Sequence, residues 1–121
     1  DMFEEMRLAA VLQSVRHQPG ALTARDAVHM ATREGARALG LDADIGSIEA
    51  GKRADLILVQ AGGPDPYSTV VYASRGTDVK ATIVDGQVLV DNFRPTRWDP
   101  AEITAAARSE AAALAVRANL F

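Results

Sequence analysis

The sequence predicts an α+β fold, because the spacing of its apolar residues changes twice along 121 residues. Before residue 44, apolar residues recur at helical spacing, whereas residues 45–90 carry the short apolar runs typical of β-strands. A third helical segment follows the dipeptide Asp99-Pro100. We therefore expect three structural units, comprising residues 1–43, 44–98 and 99–121.

The first helix is predicted over residues 1–16. Phe3, Met6 and Ala10 share one face, and Asp1 is typical of a residue that caps a helix start. A neighbouring stripe is formed by the other apolar residues: Leu8, Val11, Leu12 and Val15. The Pro-Gly pair that follows breaks the helix.

The second helix is predicted to begin at Thr23 and to end at Leu39-Gly40. The Thr23 hydroxyl can accept a hydrogen bond from an amide of the first turn. One face carries a stripe of small residues, which predicts close packing against a neighbouring element: Ala27, Ala31, Gly35 and Ala38.

Two short strands are predicted at residues 45–48 and 54–59, on either side of the turn Ala50-Gly51-Lys52. The second strand is apolar at consecutive positions, so we expect both of its faces to be buried. A short helix is predicted at residues 67–73 and should end near Gly76.

Residues 79–84 and 87–90 are predicted to form a hairpin, because Asp85-Gly86 favours a two-residue turn. Residues 92–97 are predicted as an irregular link. Asp99-Pro100 combines an N-cap with proline at the first helical position, which predicts a final helix. This helix is rich in alanine, so we expect it to bury little area and to lie on the surface.

The composition is that of a globular protein, with 48% apolar residues, 24% charged residues and a net charge of -3. No basic stripe is present, which argues against a nucleic-acid partner. The chain contains no cysteine, so disulfides and thiolate metal sites are excluded and a cytoplasmic location is the default expectation.

No apolar run is long enough to cross a bilayer. Because it opens with Asp1-Met2, we expect the chain to be an excised fragment.

No residue of this chain is predicted to be catalytic, to bind a cofactor or to bind a metal. His17 and His29 are the only histidines, and their spacing matches no metal motif, so we interpret both as packing or surface residues. Glu4 and Glu5 diverge on a helix and cannot act as an acid/base pair. The chain has five serines, and none of them lies in a G-x-S-x-G nucleophile motif. They are Ser14, Ser47, Ser68, Ser74 and Ser109.

Asp55 is unusual, because a carboxylate beside an apolar strand needs compensation. We expect it to accept hydrogen bonds from the backbone or from Lys52 or Arg53 and to fix the turn, with a ligand role as the alternative. Three aromatic residues are expected to be packing anchors rather than a stacking platform: Tyr72, Phe93 and Trp98.

Three blocks of the sequence, in order, resemble the amidohydrolase superfamily. The first is residues 1–10, DMFEEMRLAA, and the second is residues 30–40, MATREGARALG, which runs into GSIEAGKRADLILV at residues 46–59. The third is residues 65–72, DPYSTVVY, followed by the VDG hairpin. Within the superfamily, the pattern is most similar to the branch of purine and triazine aminohydrolases, especially the deaminases of 5-methylthioadenosine and S-adenosylhomocysteine.

The resemblance implies a (β/α)₈ barrel enzyme that binds a divalent metal, usually zinc, and hydrolyses a C–N bond of a purine nucleoside or related amino-heterocycle. It implies that residues 1–43 are the last barrel helices, that residues 44–98 are the C-terminal part of a β-sandwich, and that residues 99–121 are a peripheral helix. The metal ligands of the family precede these segments, so the chain alone is expected to be inactive. The implied partners are the rest of the polypeptide, a small-molecule substrate and a possible second copy.

Two alternatives stay open. One is a non-enzymatic module that binds a partner through its strand edges, because the N-terminal strands that complete the sandwich in the family are absent here. The other is a different branch of the superfamily, such as a triazine hydrolase, an imidazolone hydrolase or a dipeptidase. The coding sequence upstream of Asp1 would discriminate between them.

Overall fold

A computed structural model describes residues 1–119. These residues form four helices, a short 3₁₀ helix (Gly76–Asp78) and a four-stranded sheet, so the predicted α+β class is confirmed. Residues 120 and 121, the end of the predicted unit 99–121, lie outside the described residues. The helices are α1 (Met2–Arg16), α2 (Ala24–His29, Met30–Glu34 and Gly35–Ala38 in continuous succession), α3 (Pro66–Ser68 continued by Thr69–Ala73) and α4 (Pro100–Arg117), and the strands are β1 (Leu56–Val59), β2 (Val79–Val84), β3 (Gln87–Asp91) and β4 (Arg94–Pro95).

Helix α1 begins and packs as its sequence predicts. Asp1 Oδ1 accepts hydrogen bonds from the amides of Phe3 (2.7 Å) and Glu4 (3.3 Å), which satisfies two donors of the first turn. Phe3, Met6 and Ala10 are buried. The neighbouring apolar stripe is largely exposed, with Val15 at 81%.

Helix α2 begins with a reciprocal cap: Asp26 donates its amide to the Thr23 hydroxyl, and the Asp26 carboxylate accepts the Thr23 amide. Its middle part, Met30–Glu34, is a π-helix. A π-turn inserts one extra residue into the helical period, which rotates everything beyond it. The buried small residue near the end is therefore Ala36, and the prediction that Ala38 lies on this face is wrong.

The core lies among the helices. Its buried members come from α1, α2 and α3: Phe3, Met6, Ala10, Ala27 and Val71. From the sheet, the partly buried residues Val59 and Val79 pack against this cluster. The three helices are consequently the packed body of the described chain, and the sheet extends from one side of it.

The sheet is antiparallel throughout, in the order β1-β2-β3-β4. The predicted β2–β3 hairpin is confirmed, since Asp85 (φ 49°) and Gly86 (φ 76°) both adopt the positive φ that its turn requires. The link at residues 92–97 was predicted to be irregular but contains β4. Asn92 (φ 45°) and Phe93 (φ 66°) form a second turn with positive φ, without the glycine that would reveal it in the sequence.

Two predictions about the chain before β2 are wrong. Residues 45–48 form no strand, because the amides of Asp44 and Ile45 donate to the Leu41 carbonyl oxygen and fold the chain into a compact loop. Strand β1 is not buried on both faces either, with Ile57 55% and Leu58 57% exposed. Within residues 1–119, no second layer covers these side chains.

Helix α4 begins as predicted, with Asp99 Oδ1 accepting from the Ala101 amide (2.8 Å) and Pro100 at the first helical position. None of its residues is buried, which confirms that it lies on the surface.

Candidate functional site

The two histidines lie on different helices and do not face a common site. His17 is exposed at the end of α1, while His29 on α2 meets the Tyr67 ring edge to face, with 6.2 Å between ring centroids. The Arg25 guanidinium lies 5.4 Å from the centre of the same ring. Tyr67 thus holds α2 against α3 through both side chains.

Within residues 1–119, no group of three or more His, Cys, Asp or Glu residues is arranged to hold a metal ion. A hydrolytic metal centre takes at least three protein ligands. The residues present in this part of the chain therefore do not fit a resident catalytic metal.

Ser74 and Ser14 hydrogen-bond to backbone carbonyl oxygens of their own helices. Ser74 is 2% exposed and donates its hydroxyl to the Thr69 carbonyl oxygen (3.1 Å), while Ser14 donates to the Ala10 carbonyl oxygen (2.9 Å). Glu4 and Glu5 are both exposed. We find no pairing here that would activate a nucleophile.

Three carboxylates have a lowered pKa, and hydrogen bonding is the leading cause each time. Thr23 lowers the pKa of Asp26 and Ser68 lowers that of Asp65, and both acids sit at helix starts. Ser47, with Lys52 as the second cause, lowers the pKa of Glu49. All three carboxylates are exposed and stabilised in the charged form, which is the opposite of what a general acid needs.

Asp55 binds a backbone amide, which is one of the expected partners, but the turn that it fixes is a different one from the turn expected. Its Oδ1 accepts a hydrogen bond from the Asp85 amide (2.7 Å), so it ties the start of β1 to the β2–β3 hairpin. The side chain is exposed, and Lys52 points elsewhere. The expected pairing with Lys52 is wrong, while the expected backbone hydrogen bond is confirmed.

Lys52 organises the loop between α2 and β1, a role that sequence reasoning missed. Its ammonium donates to the Asp42 carbonyl oxygen (2.6 Å), to Ser47 Oγ (2.8 Å) and more weakly to the Ile45 carbonyl oxygen (3.4 Å). The loop thus closes around one cation. The Gly51-Lys52 dipeptide signals a turn, and no local pattern announces that the lysine folds back over it.

The same loop packs directly on the π-helical part of α2. A Cβ on Gly46 (φ 92°) would lie 2.7 Å from Ala36 Cβ and 3.1 Å from the Thr32 carbonyl oxygen. Only glycine permits this approach together with this backbone conformation.

Arg7 and Asp1 tie α1 to the segment around α3. Arg7 Nε donates to the Val71 carbonyl oxygen (3.2 Å), and its Nη2 donates to that of Ser74 (2.8 Å), at the C-terminal end of α3. Asp1 Oδ2 accepts the Gly76 amide (3.1 Å). Since these partners lie more than 60 residues apart in the sequence, no sequence signal could have indicated them.

The predicted aromatic anchors are not buried. Tyr72 and Phe93 are each 47% exposed and Trp98 is 54% exposed. Trp98 borders a shallow hollow with Arg94 and the start of α4. The packing-anchor prediction is wrong for the described residues, because no neighbouring layer reaches these rings.

A mainly apolar cavity of about 780 Å³ is bounded by α1, α2, the Lys52 loop and β1. Its walls include Met2, Met30, Ile48 and Ile57, all of which are at least half exposed. Charged side chains line it only sparsely: Glu5, Arg53 and Asp55. An open apolar cavity with few polar groups is better suited to packing against another polypeptide segment than to catalysing a reaction.

None of the described helices has the length and apolarity needed to span a membrane.

Comparison with known proteins identifies the family. Residues 1–89 match the family described as Amidohydrolase family. The chain is 43% identical to a 5'-deoxyadenosine deaminase of Methanosarcina acetivorans over a 126-residue alignment that covers 98% of this chain and 29% of that protein. It is 44% identical to a 5-methylthioadenosine/S-adenosylhomocysteine deaminase of Moorella thermoacetica, over 87% of this chain and 26% of that protein.

A solved structure is also similar. The crystal structure of an adenosine deaminase from Xanthomonas campestris with bound zinc superposes with a TM-score of 0.80 and 36% identity, over 90% of this chain and 26% of that one. The present chain thus spans little more than a quarter of the length of these relatives. Since the family match covers residues 1–89, well over half of the sequence, the chain belongs to the amidohydrolase family.

Proposed function

We propose that these residues are the C-terminal portion of a longer metal-dependent amidohydrolase that deaminates a purine nucleoside or a related amino-heterocycle by hydrolysis of a C–N bond. The observation that carries this proposal is the 43% identity to a 5'-deoxyadenosine deaminase across 98% of the chain. The second named relative is also a deaminase of adenine-containing compounds. The substrate is accordingly a small molecule, and we propose a cytoplasmic location.

In this proposal the chain has a structural role and supports an active site formed by the rest of the enzyme. Residues 1–43 are the last helices of a (β/α)₈ barrel, residues 44–98 are the C-terminal part of a composite β-sandwich, and residues 99–121 are a peripheral helix. The helical core of α1, α2 and α3 and the separate antiparallel sheet support this division. The interdomain ties of Arg7 and Asp1 would then hold the sheet-bearing part against the barrel helices.

The metal would lie outside this chain. The similar adenosine deaminase structure holds zinc, whereas residues 1–119 offer no suitable group of ligands. We therefore propose a divalent metal, zinc, held by the preceding part of the polypeptide.

The test is to express the longer polypeptide and to measure ammonia release from 5'-deoxyadenosine, 5-methylthioadenosine, S-adenosylhomocysteine and adenosine. We expect release from at least one of them, loss of activity after chelation, and recovery with added zinc. The 121-residue chain alone serves as the control and should release no ammonia and retain no stoichiometric metal. Activity of the isolated chain would contradict the proposal.

The alternatives give different outcomes in the same assay. A triazine, an imidazolone or a dipeptide turned over in preference to all four nucleosides would assign the chain to another branch. A coding sequence without a metal-binding region upstream of Asp1 would favour a non-enzymatic module. The mass of the longer polypeptide in solution would show whether it forms a homo-oligomer.

A further inference from the structure

The tip of the β2–β3 hairpin carries a dipeptide with a chemistry of its own. Asp85-Gly86 is the one place in the sequence where an aspartate or asparagine precedes a glycine. A side chain on the following residue hinders approach to its amide nitrogen, whereas glycine leaves that nitrogen open. Both residues are exposed, and among the described residues no heavy atom beyond the chain neighbours lies within 4 Å of the point where a Cβ on Gly86 would stand. The turn is thus sterically open to a reaction between its two residues.

An aspartate in this position can rearrange with no reagent other than water. The Gly86 amide nitrogen attacks Cγ of the Asp85 carboxyl group, the amide proton and the carboxyl hydroxyl leave as water, and a cyclic succinimide forms. Water then adds to one of the two ring carbonyl carbons. Addition at Cγ restores aspartate. Addition at the former main-chain carbonyl breaks its bond to the Gly86 nitrogen and leaves isoaspartate, in which the main chain runs through Cγ.

In the folded chain, both amides of this turn are held by the residues that precede β1. The Asp85 amide donates to Asp55 Oδ1 (2.7 Å), and the Gly86 amide donates to the Ala54 carbonyl oxygen (3.1 Å). The attacking nitrogen must give up this second hydrogen bond, because its proton leaves in the reaction. The positive φ of Asp85 (49°) and Gly86 (76°) also fixes the turn in one conformation. The reaction therefore requires the tip to open first.

We propose that Asp85 is a site of aspartate isomerisation, and that Asp55, together with the Ala54 carbonyl group, suppresses the reaction by holding the tip closed. Asp55 is a positioning residue, since it binds the Asp85 amide and takes no part in the bonds that form or break. Isoaspartate adds a methylene group to the main chain of a two-residue turn, next to the paired residues Val84 and Gln87. The modification thus loosens the hairpin.

The test follows isoaspartate formation in the longer polypeptide during prolonged incubation near neutral pH. Peptide mapping separates the aspartyl and isoaspartyl forms of the fragment that contains residue 85. A synthetic peptide of residues 81–90, which lacks Asp55 and Ala54, gives the rate without the restraint. We expect the wild type to react at least about tenfold more slowly than the peptide, and Asp55→Ala to react about tenfold faster than the wild type, because a hydrogen bond to a charged acceptor is lost.

Two further variants separate this role from a general loss of stability. Asp55→Asn keeps an oxygen that can accept the Asp85 amide, so it should retain the slow rate of the wild type. Val71→Ala removes part of the helical core, so it should lower global stability but leave the rate at residue 85 unchanged while the protein stays folded. Circular dichroism checks the folding of each variant.

Hydrogen exchange reports the closed tip directly and needs no variant. The Asp85 and Gly86 amides should exchange slowly in the wild type, and faster in Asp55→Ala than in Val71→Ala. Fast exchange of both amides in the wild type would overturn the proposal, as would isomerisation of the wild type at the rate of the free peptide.

The variants can refute it independently. Equal rates in Asp55→Ala and the wild type would remove the role of Asp55, and equal acceleration by Val71→Ala would assign the protection to global folding. A free peptide that forms no isoaspartate at residue 85 would exclude the site itself.

Discussion

At the scale of single residues, Lys52 organises a loop outside the core through three hydrogen bonds from its ammonium group. Its side chain is only 16% exposed, and its ammonium satisfies oxygens from Asp42 and Ser47 with short hydrogen bonds. The loop therefore folds around a largely covered cation rather than pairing as a strand. This explains why an apolar stretch that resembles a strand, residues 45–48, is a compact loop.

Replacement of this lysine should weaken the fold without touching the apolar core. We expect Lys52→Met to lower the free energy of unfolding by about 2 kcal/mol, because hydrogen bonds to a charged donor are lost and their acceptors are left unmatched. Urea denaturation followed by circular dichroism measures the change. Lys80→Met, at the only other lysine, lies on β2 away from the loop and should change stability by less than about 0.5 kcal/mol. Equal losses in both variants would refute this role.

At the scale of elements, the contact between the Lys52 loop and α2 depends on Gly46. Gly46→Ala combines a positive φ with a Cβ 2.7 Å from Ala36 Cβ, so we expect a loss of about 3 kcal/mol in the free energy of unfolding. Gly51→Ala is the matched control, since its φ of 93° is the same within a degree and nothing lies within 4 Å of the added Cβ.

The control variant should lose only about 1 kcal/mol, the cost of the backbone conformation alone. The difference between the two variants, measured by chemical denaturation, isolates the close approach of the loop to α2. Similar losses in the two would mean that α2 shifts to accept the methyl group.

The start of α3 predicts an acid dependence of stability. The hydrogen bond from Ser68 lowers the pKa of Asp65 below its ordinary value of 3.8, so the ionised form is favoured in the folded state. The resulting stabilisation is fully present above pH 3.8 and is lost as the pH falls through the lowered value. Asp65→Asn keeps a capping oxygen without a titrating group.

We therefore expect Asp65→Asn to match the wild type near neutral pH and to lose less stability under acid. Asp65→Ala, which removes the cap, should be less stable than Asp65→Asn at every pH. Thermal unfolding followed across the acid range distinguishes the three proteins. An acid dependence of Asp65→Asn identical to that of the wild type would contradict the assignment.

At the scale of the whole molecule, stability is concentrated in the three-helix core. Removal of residues 99–121 deletes α4, which has no buried residue, so the free energy of unfolding should change by less than about 0.5 kcal/mol. Removal of residues 1–16 takes Phe3, Met6 and Ala10 from the core and should abolish cooperative unfolding. Calorimetry of both truncations provides the measurement. A large loss on removing α4 would show that it packs on the rest of the protein.

The exposed apolar surfaces also belong to this scale. Ile57 was expected to be buried because its strand is apolar at consecutive positions, and Phe93 and Trp98 were expected to be packing anchors, but all three are about half exposed. Burial depends on whether a second layer exists, and the described residues contain none over the sheet. The local sequence could predict a strand and aromatic anchors, but it could not predict that no second layer covers them among the described residues.

The sequence by itself determined the helix starts at Asp1, Thr23 and Asp99 and the hairpin at Asp85-Gly86, because each depends on contacts between residues a few positions apart. The sequence also identified the family, because the family's motifs are recognisable in the sequence alone. Only the tertiary structure showed which oxygens Lys52 binds and that a π-turn leads to the burial of Ala36. It alone also showed the hydrogen bonds from Arg7 to the carbonyl oxygens of Val71 and Ser74. These depend on which distant segments meet, and because a local pattern records nothing of distant neighbours, they could be known only from the folded chain.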